Sequence, residues 1–195
     1  MVLRKIKPEI RVIGIDDSPF DRKTKSVLLV GAVFRSGLYL EGVLSCYVKR
    51  DGTDATDKIT RMVNRSKHKG QLRLIMLNGI AVGGFNVIDI EKLYRKTSLP
   101  VIVIVRWMPD FEKIKRALSK FKDAKKRFAI IEKAGEVDKI SLKGKVLYYQ
   151  KFGISKELAE QAIKISATHS LVPEPIRVAH IIGSGIVLGE TKGRV

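Results

Sequence analysis

Cysteine is almost missing, because the 195 residues contain only Cys46. That excludes an internal disulfide framework and a cysteine-based zinc site. Cys46 lies in the apolar run Gly42–Val48 and reads as buried packing. Long apolar runs are missing as well. None approaches the roughly 20 residues that a membrane-spanning helix needs. The segment Met1–Pro8 is too short and too charged for a signal-peptide core, so a cytoplasmic location is expected. No repeat, low-complexity segment or long linker divides the chain, and one domain over residues 1–195 is the expectation. Gly183, Gly185 and Gly189 lack the spacing of a dinucleotide-binding turn. Ser18 has no accompanying histidine pattern, which speaks against a serine hydrolase.

Acid is also in short supply. Asp and Glu number 20 against 38 Lys and Arg, a net charge of +18. Such an excess describes partners and solubility rather than fold. Phosphate backbones are the polyanions a basic domain most often meets, so nucleic acid is the expected partner. The plainer reading is the solvated surface of a lysine-rich protein. The densest basic run is Lys113–Arg127, and no basic amphipathic helix stands alone as a membrane anchor would.

A hydrophobic fraction of 45% is enough for a core. Ile10–Ile15 reads as a strand that ends at Asp16-Asp17-Ser18-Pro19. Ser26–Phe34 and Leu38–Val48 read as an antiparallel hairpin around Arg35-Ser36-Gly37. Thr53 or Asp54 is positioned to cap a helix over Thr56–Lys67. Leu72–Leu77 is a buried strand ending at Asn78-Gly79, and Ile80–Phe85 a turn or loop. Asn86–Tyr94 reads as a helix, Pro100–Val105 as a strand of parallel type, and Pro109 as the first residue of a helix to Phe121. Further helices are expected over Ala124–Lys133, Ser155–Ala167 and Pro173–Val187, an extended segment over Leu142–Tyr149, and a tail over Gly189–Val195. The order is α/β, with an antiparallel start followed by βα units.

Ligands of open α/β sheets gather at the carboxyl ends of the strands. Here those ends carry Asp16-Asp17, Asp51–Asp54 and Asn78-Gly79. Converging oxygens of this kind suit a hard cation such as magnesium, which clamps a phosphodiester and activates water. Acids at strand ends also simply make turns and caps, the stronger reading for Asp51 and an even one for Asp54. Asp16 follows an apolar strand directly, and Asp17 beside it makes a like-charge pair that is costly without a cation. Glu174, Arg177 and His180 recur every three residues and can share a helix face. An ion pair is the plainer reading for Glu174 and Arg177, and a satisfied core histidine for His180. His68 and His169 read as surface or turn residues.

Four ordered motifs carry a resemblance that spans nearly the whole chain. They are Gly14-Ile15-Asp16-Asp17-Ser18-Pro19-Phe20; Asp54-Ala55-Thr56-Asp57-Lys58-Ile59; Gly79-Ile80 with Gly84-Phe85-Asn86-Val87-Ile88-Asp89; and Pro173-Glu174-Pro175-Ile176-Arg177-Val178-Ala179-His180. Together they resemble the largely archaeal domain-of-unknown-function family 99, itself similar to endonuclease V. The resemblance implies a ribonuclease-H-like mixed sheet flanked by helices. It also implies cleavage of nucleic acid with Mg2+ or Mn2+ held by carboxylates. Asp16 matches the aspartate ending the first strand, and Asp54, with Asp51 as rival, the acid that follows the third. The third metal position, an aspartate before glycine, is Asn78 here, which offers an oxygen but no charge. Glu174 or His180 would complete the catalytic set of Asp16 and Asp54. The strand-opening loop of endonuclease V is not evident, so inosine recognition is not carried over. Two functions are expected: a metal-dependent nuclease, or a non-catalytic nucleic-acid-binding protein that kept the fold. A small phosphorylated substrate is a third reading.

Overall fold

Apolar residues supply the strands of a seven-stranded mixed sheet in the computed structural model, which describes residues 3–191. The first three strands are β1 (Arg11–Asp17), β2 (Ser26–Arg35) and β3 (Tyr39–Lys49), paired antiparallel. Parallel to β1 runs β4 (Leu74–Asn78), which continues after the helix α1 (Ala55–Asn64). A short ribbon, β5 (Ala81–Val82) and β6 (Asn86–Val87), and the helix α2 (Ile90–Thr97) lead into β7 (Val101–Val105), parallel to β4. Helices α3 (Phe111–Leu118) and α4 (Ala124–Lys133) follow, then the hairpin β8 (Asp138–Leu142) and β9 (Lys145–Phe152). The chain closes with α5 (Lys156–Ser166) and α6 (Glu174–Leu188). The strand order is β3-β2-β1-β4-β7-β9-β8.

Strands place successive side chains on opposite faces, and the central strands are apolar on both. Ile13 and Ile15 of β1, Ile75 and Leu77 of β4, and Val101 and Val103 of β7 pack beneath Ile59 and Val63 of α1 and Leu93 of α2. On the other face, Val12, Leu74, Met76, Ile102 and Ile104 meet Ala159, Ala162 and Ile163 of α5 and Ile176 of α6. Burying each such side chain contributes roughly 1.5–3 kcal/mol.

Several expected boundaries move, each for a local reason. Asn86 and Val87 pair with Ala81 and Val82 instead of opening a helix, so α2 waits for Asp89, whose carboxylate accepts from Lys92 N at 2.8 Å. Asp110, accepting from Lys113 N at 3.0 Å, caps α3 in place of Pro109 at its first turn. The expected extended segment Leu142–Tyr149 is interrupted by a tight turn at Lys143 and Gly144, with φ of 51° and 75°, and its first residue belongs to β8. Helix α1 stops at Asn64, short of Lys67. The tail begins at Gly189, which ends α6 at φ 80°, and residues 192–195 of it lie outside the described residues. No helix among the described residues is long and apolar enough to cross a membrane.

Candidate active site

The alternation of β1 decides where its terminal acids go. Ile13 and Ile15 face α1, so Asp17 does too; Val12 faces α5 and α6, so Asp16 turns toward α6. Helix α6 comes close enough to meet it because residue 14 is glycine. A Cβ there would lie 2.2 Å from the Pro175 carbonyl carbon. At this distance His180, six residues into the helix, reaches the end of β1.

Asp16 is 2% exposed. Its Oδ1 accepts from Asn78 Nδ2 at 3.0 Å and from Asp17 N at 2.9 Å, while Oδ2 lies 2.9 Å from His180 Nδ1. Asn78 stands beside it because β4 runs parallel to β1 and ends at the same edge of the sheet. The hydrogen bond and negative charge of Asp16 raise the pKa of His180 above the usual histidine value, against burial and the positive charge of Arg106. The interaction with Asp16 favours the doubly protonated ring, with Nδ1 on Asp16 and Nε2–H facing away from it. Asp16, Asn78 and His180 line one open cavity of about 350 Å3, together with Asp17, Ser18, Pro19 and Phe20.

A family model described as Endonuclease dU matches residues 8–187. The chain belongs to the endonuclease dU family. The UPF0215 protein of Methanosarcina acetivorans is 50% identical over 191 residues, 97% of this chain and 96% of that protein. A crystal structure of a protein of unknown function from Archaeoglobus fulgidus is similar at TM-score 0.84 and 40% identity, covering 91% of this chain and 98% of that one. Endonuclease V of Ciona intestinalis, solved with a 24mer DNA containing an inosine followed by a ribo-adenosine, is similar at TM-score 0.58 and 14% identity, covering 87% and 82%. The fold is thus that of endonuclease V, ribonuclease-H-like, as the motifs imply.

In this member of the endonuclease dU family, two expected site residues stand elsewhere. Asp54 sits at the start of α1, on the face of the sheet opposite Asp16, and does not line the cavity. Its Oδ1 accepts from Asn86 Nδ2 at 2.8 Å and Lys49 N at 3.2 Å, while Asn86 Oδ1 accepts from Ala55 N at 3.0 Å. Asp54 and Asn86 together tie the end of β3 to the start of α1, so the side-chain cap expected of Asp54 is supplied by an amide from afar. Asp51, its rival, accepts from Phe85 N at 2.9 Å and adopts φ 54°, a turn role. Glu174 is buried and forks onto Arg177 at 2.9 and 2.7 Å, with His169 Nδ1 at 3.4 Å. The ion pair is what its position shows, and it too does not line the cavity.

In the sequence Asp17 reads as the like-charge neighbour of Asp16, with no role in the site. Its Oδ2 accepts from Gly83 N at 2.7 Å. Burial, then the charge of Asp16, raise its pKa to about 6. The two acids still share the cavity, and loading Asp17 toward its protonated form relieves the like-charge pair. The signal for its separate orientation was in the sequence, since consecutive strand residues cannot face one side.

The oxygen donors at the cavity are few. Asn78 and Asp16 face each other, and an amide turned over would present oxygen in place of nitrogen. With the neighbouring Asp17 raised to about 6, the Asp16 carboxylate and the Asn78 amide are the pair that suits a hard cation keeping most of its water. No group of three or more His, Cys, Asp or Glu side chains among the described residues is arranged to hold a metal.

Proposed function

We propose that this chain is a nuclease acting on DNA that contains deoxyuridine, with Asp16, Asn78 and His180 as its working residues. The description of the matching family model, Endonuclease dU, supports that substrate. The observation that carries the reading is the buried Asp16 carboxylate, with both oxygens engaged by Asn78 and His180 beside an open cavity. His180, oriented through Nδ1 by Asp16, presents Nε2–H to a phosphodiester in the cavity. There it donates to a non-bridging oxygen and hands its proton to the departing sugar oxygen, the role of a general acid. Asp16 stabilises the imidazolium while it holds that proton. Asp16 and Asn78 would hold Mg2+ or Mn2+, which when bound would polarise the phosphodiester and activate water. Asp54 and Glu174, set apart from the cavity, maintain α1 and α6.

The second reading, a nucleic-acid-binding protein without cleavage, is favoured by one feature: Asn78 brings no charge to a cavity whose only carboxylates among the described residues are Asp16 and the proton-loaded Asp17. Calorimetric titration with manganese separates the two. The expected result is weak binding of a single ion, lost in Asp16→Ala and tightened about tenfold or more in Asn78→Asp, where a second negative charge is added. Binding undiminished in Asp16→Ala would place any metal elsewhere.

A further inference from the structure

The edge of the sheet that carries Asp16 and Asn78 also carries the chain's sole tryptophan. Ile104 of β7 pairs with Asn78, so no more than roughly 10 Å of chain separates that register from Trp107. Trp107 is 82% exposed and Met108 56%. Leaving so large an apolar side chain in water forgoes the stabilisation that burial brings. Among the described residues Trp107 stacks on no other ring. The following Pro109 fixes φ and stiffens the segment.

Arg106, the residue before it, connects two places. It follows β7 at the edge of the sheet where Ile104 pairs with Asn78, and its side chain lines a groove of about 490 Å3 with Lys143, Lys145 and His169. Lys143 donates to Thr168 O at 2.7 Å, which anchors the β8–β9 turn to the segment before α6. Glu174, the acid facing His169, is neutralised by Arg177. The groove is therefore a cationic track that starts from the segment after β7, whose strand end stands beside Asn78, with an exposed indole next to Arg106.

We propose that Trp107 is a stacking platform for an unstacked base beside the Asp16 cavity, and that the same strand's phosphates follow the Arg106–Lys143–Lys145 groove. This rests on the nuclease reading and adds to it the element that holds a strand open. An aromatic face next to a basic track is the general design by which single strands are held without sequence preference, because every base offers a π-face. Trp107 and Met108 select an unpaired or extruded base, whereas the lysines contact any backbone.

Because Trp107 is the sole tryptophan, its fluorescence reports on this event alone. A fluorescein-labelled single-stranded 12-mer is titrated at low salt, with anisotropy and tryptophan emission read together. Inorganic polyphosphate, which has charge and no bases, serves as the second probe. The oligonucleotide is expected to quench the emission in parallel with the anisotropy rise, and polyphosphate to bind without quenching. Trp107→Ala is expected to bind the oligonucleotide roughly tenfold more weakly, and Trp107→Phe to retain most affinity. Replacing Lys143 and Lys145 with Gln is expected to lower the salt slope by about two. Oligonucleotide binding with unchanged emission and full affinity in Trp107→Ala would overturn the platform while leaving the nucleic-acid reading intact. No binding of the oligonucleotide at any salt would overturn both.

Discussion

Burial raises the Asp17 carboxyl to about 6, and Asp16 raises His180 above the ordinary histidine value. Both shifts act on stability in one direction. A folded-state pKa above the unfolded one means that the folded protein holds more protons through the intervening range, so stability grows as pH falls. For Asp17 the contribution is complete below its unfolded value of 3.8 and is lost as pH rises through about 6. For His180 it is complete below about 6.5 and is lost as pH rises through the higher folded value. The expected outcome is a melting temperature that rises between pH 8 and mildly acidic pH. In Asp17→Asn, which keeps an oxygen for Gly83 N, the part of the rise below about pH 6 should vanish. A wild-type melting temperature that falls over that range would reverse the assignment of both shifts.

Helix α6 is the element on which the site depends, and its approach to β1 is set by the bare backbone of Gly14. Gly14→Ala would force apart two main chains that cannot rotate out of the way. Overpacking of this kind costs about 1–3 kcal/mol. Urea denaturation should show that loss, and the His180 titration followed by NMR should move back toward the ordinary value as Asp16 recedes. An unchanged titration would mean that α6 is placed by other contacts. The hairpin β2–β3, the central strands and helices α5 and α6 were legible because their apolar periods are long. Strand β8 was not, since Asp138-Lys139-Ile140-Ser141-Leu142 buries only Ile140. Of the site, Asp16, Asn78 and His180 were named from the sequence and meet in one cavity. Asp54 was expected beside them because strand ends share an edge of the sheet. An edge has two faces, and the α1 face is the other one. Similarly, the basic run Lys113–Arg127 reads as a stripe of exposed cations that contact nucleic acid or, alternatively, only solubilise. Yet Arg127 at its end is buried and donates to Gly52 O at 2.9 Å, Asp51 O at 2.9 Å and Phe85 O at 2.5 Å. It clamps the loops on the α1 face, and spacing alone does not distinguish such a cation from its exposed neighbours.

Across the whole molecule, a charge of +18 sets how it meets a polyanion. Neutralising about six phosphates would weaken binding roughly a thousandfold between 50 and 200 mM salt. Anisotropy titrations over that range measure the slope, and an affinity indifferent to salt would show that the surface charge is merely solubilising. The charge also separates binding from chemistry, because phosphate contacts come from lysine and arginine while cleavage is assigned to Asp16, Asn78 and His180. The most direct measurement is therefore cleavage of a deoxyuridine-containing oligonucleotide, with Mg2+ or Mn2+, by the wild-type chain and by Asp16→Ala. The wild-type chain should cut slowly, and Asp16→Ala should bind the oligonucleotide normally and leave it whole. Equal cutting by Asp16→Ala would contradict the assignment of the chemistry to this cavity.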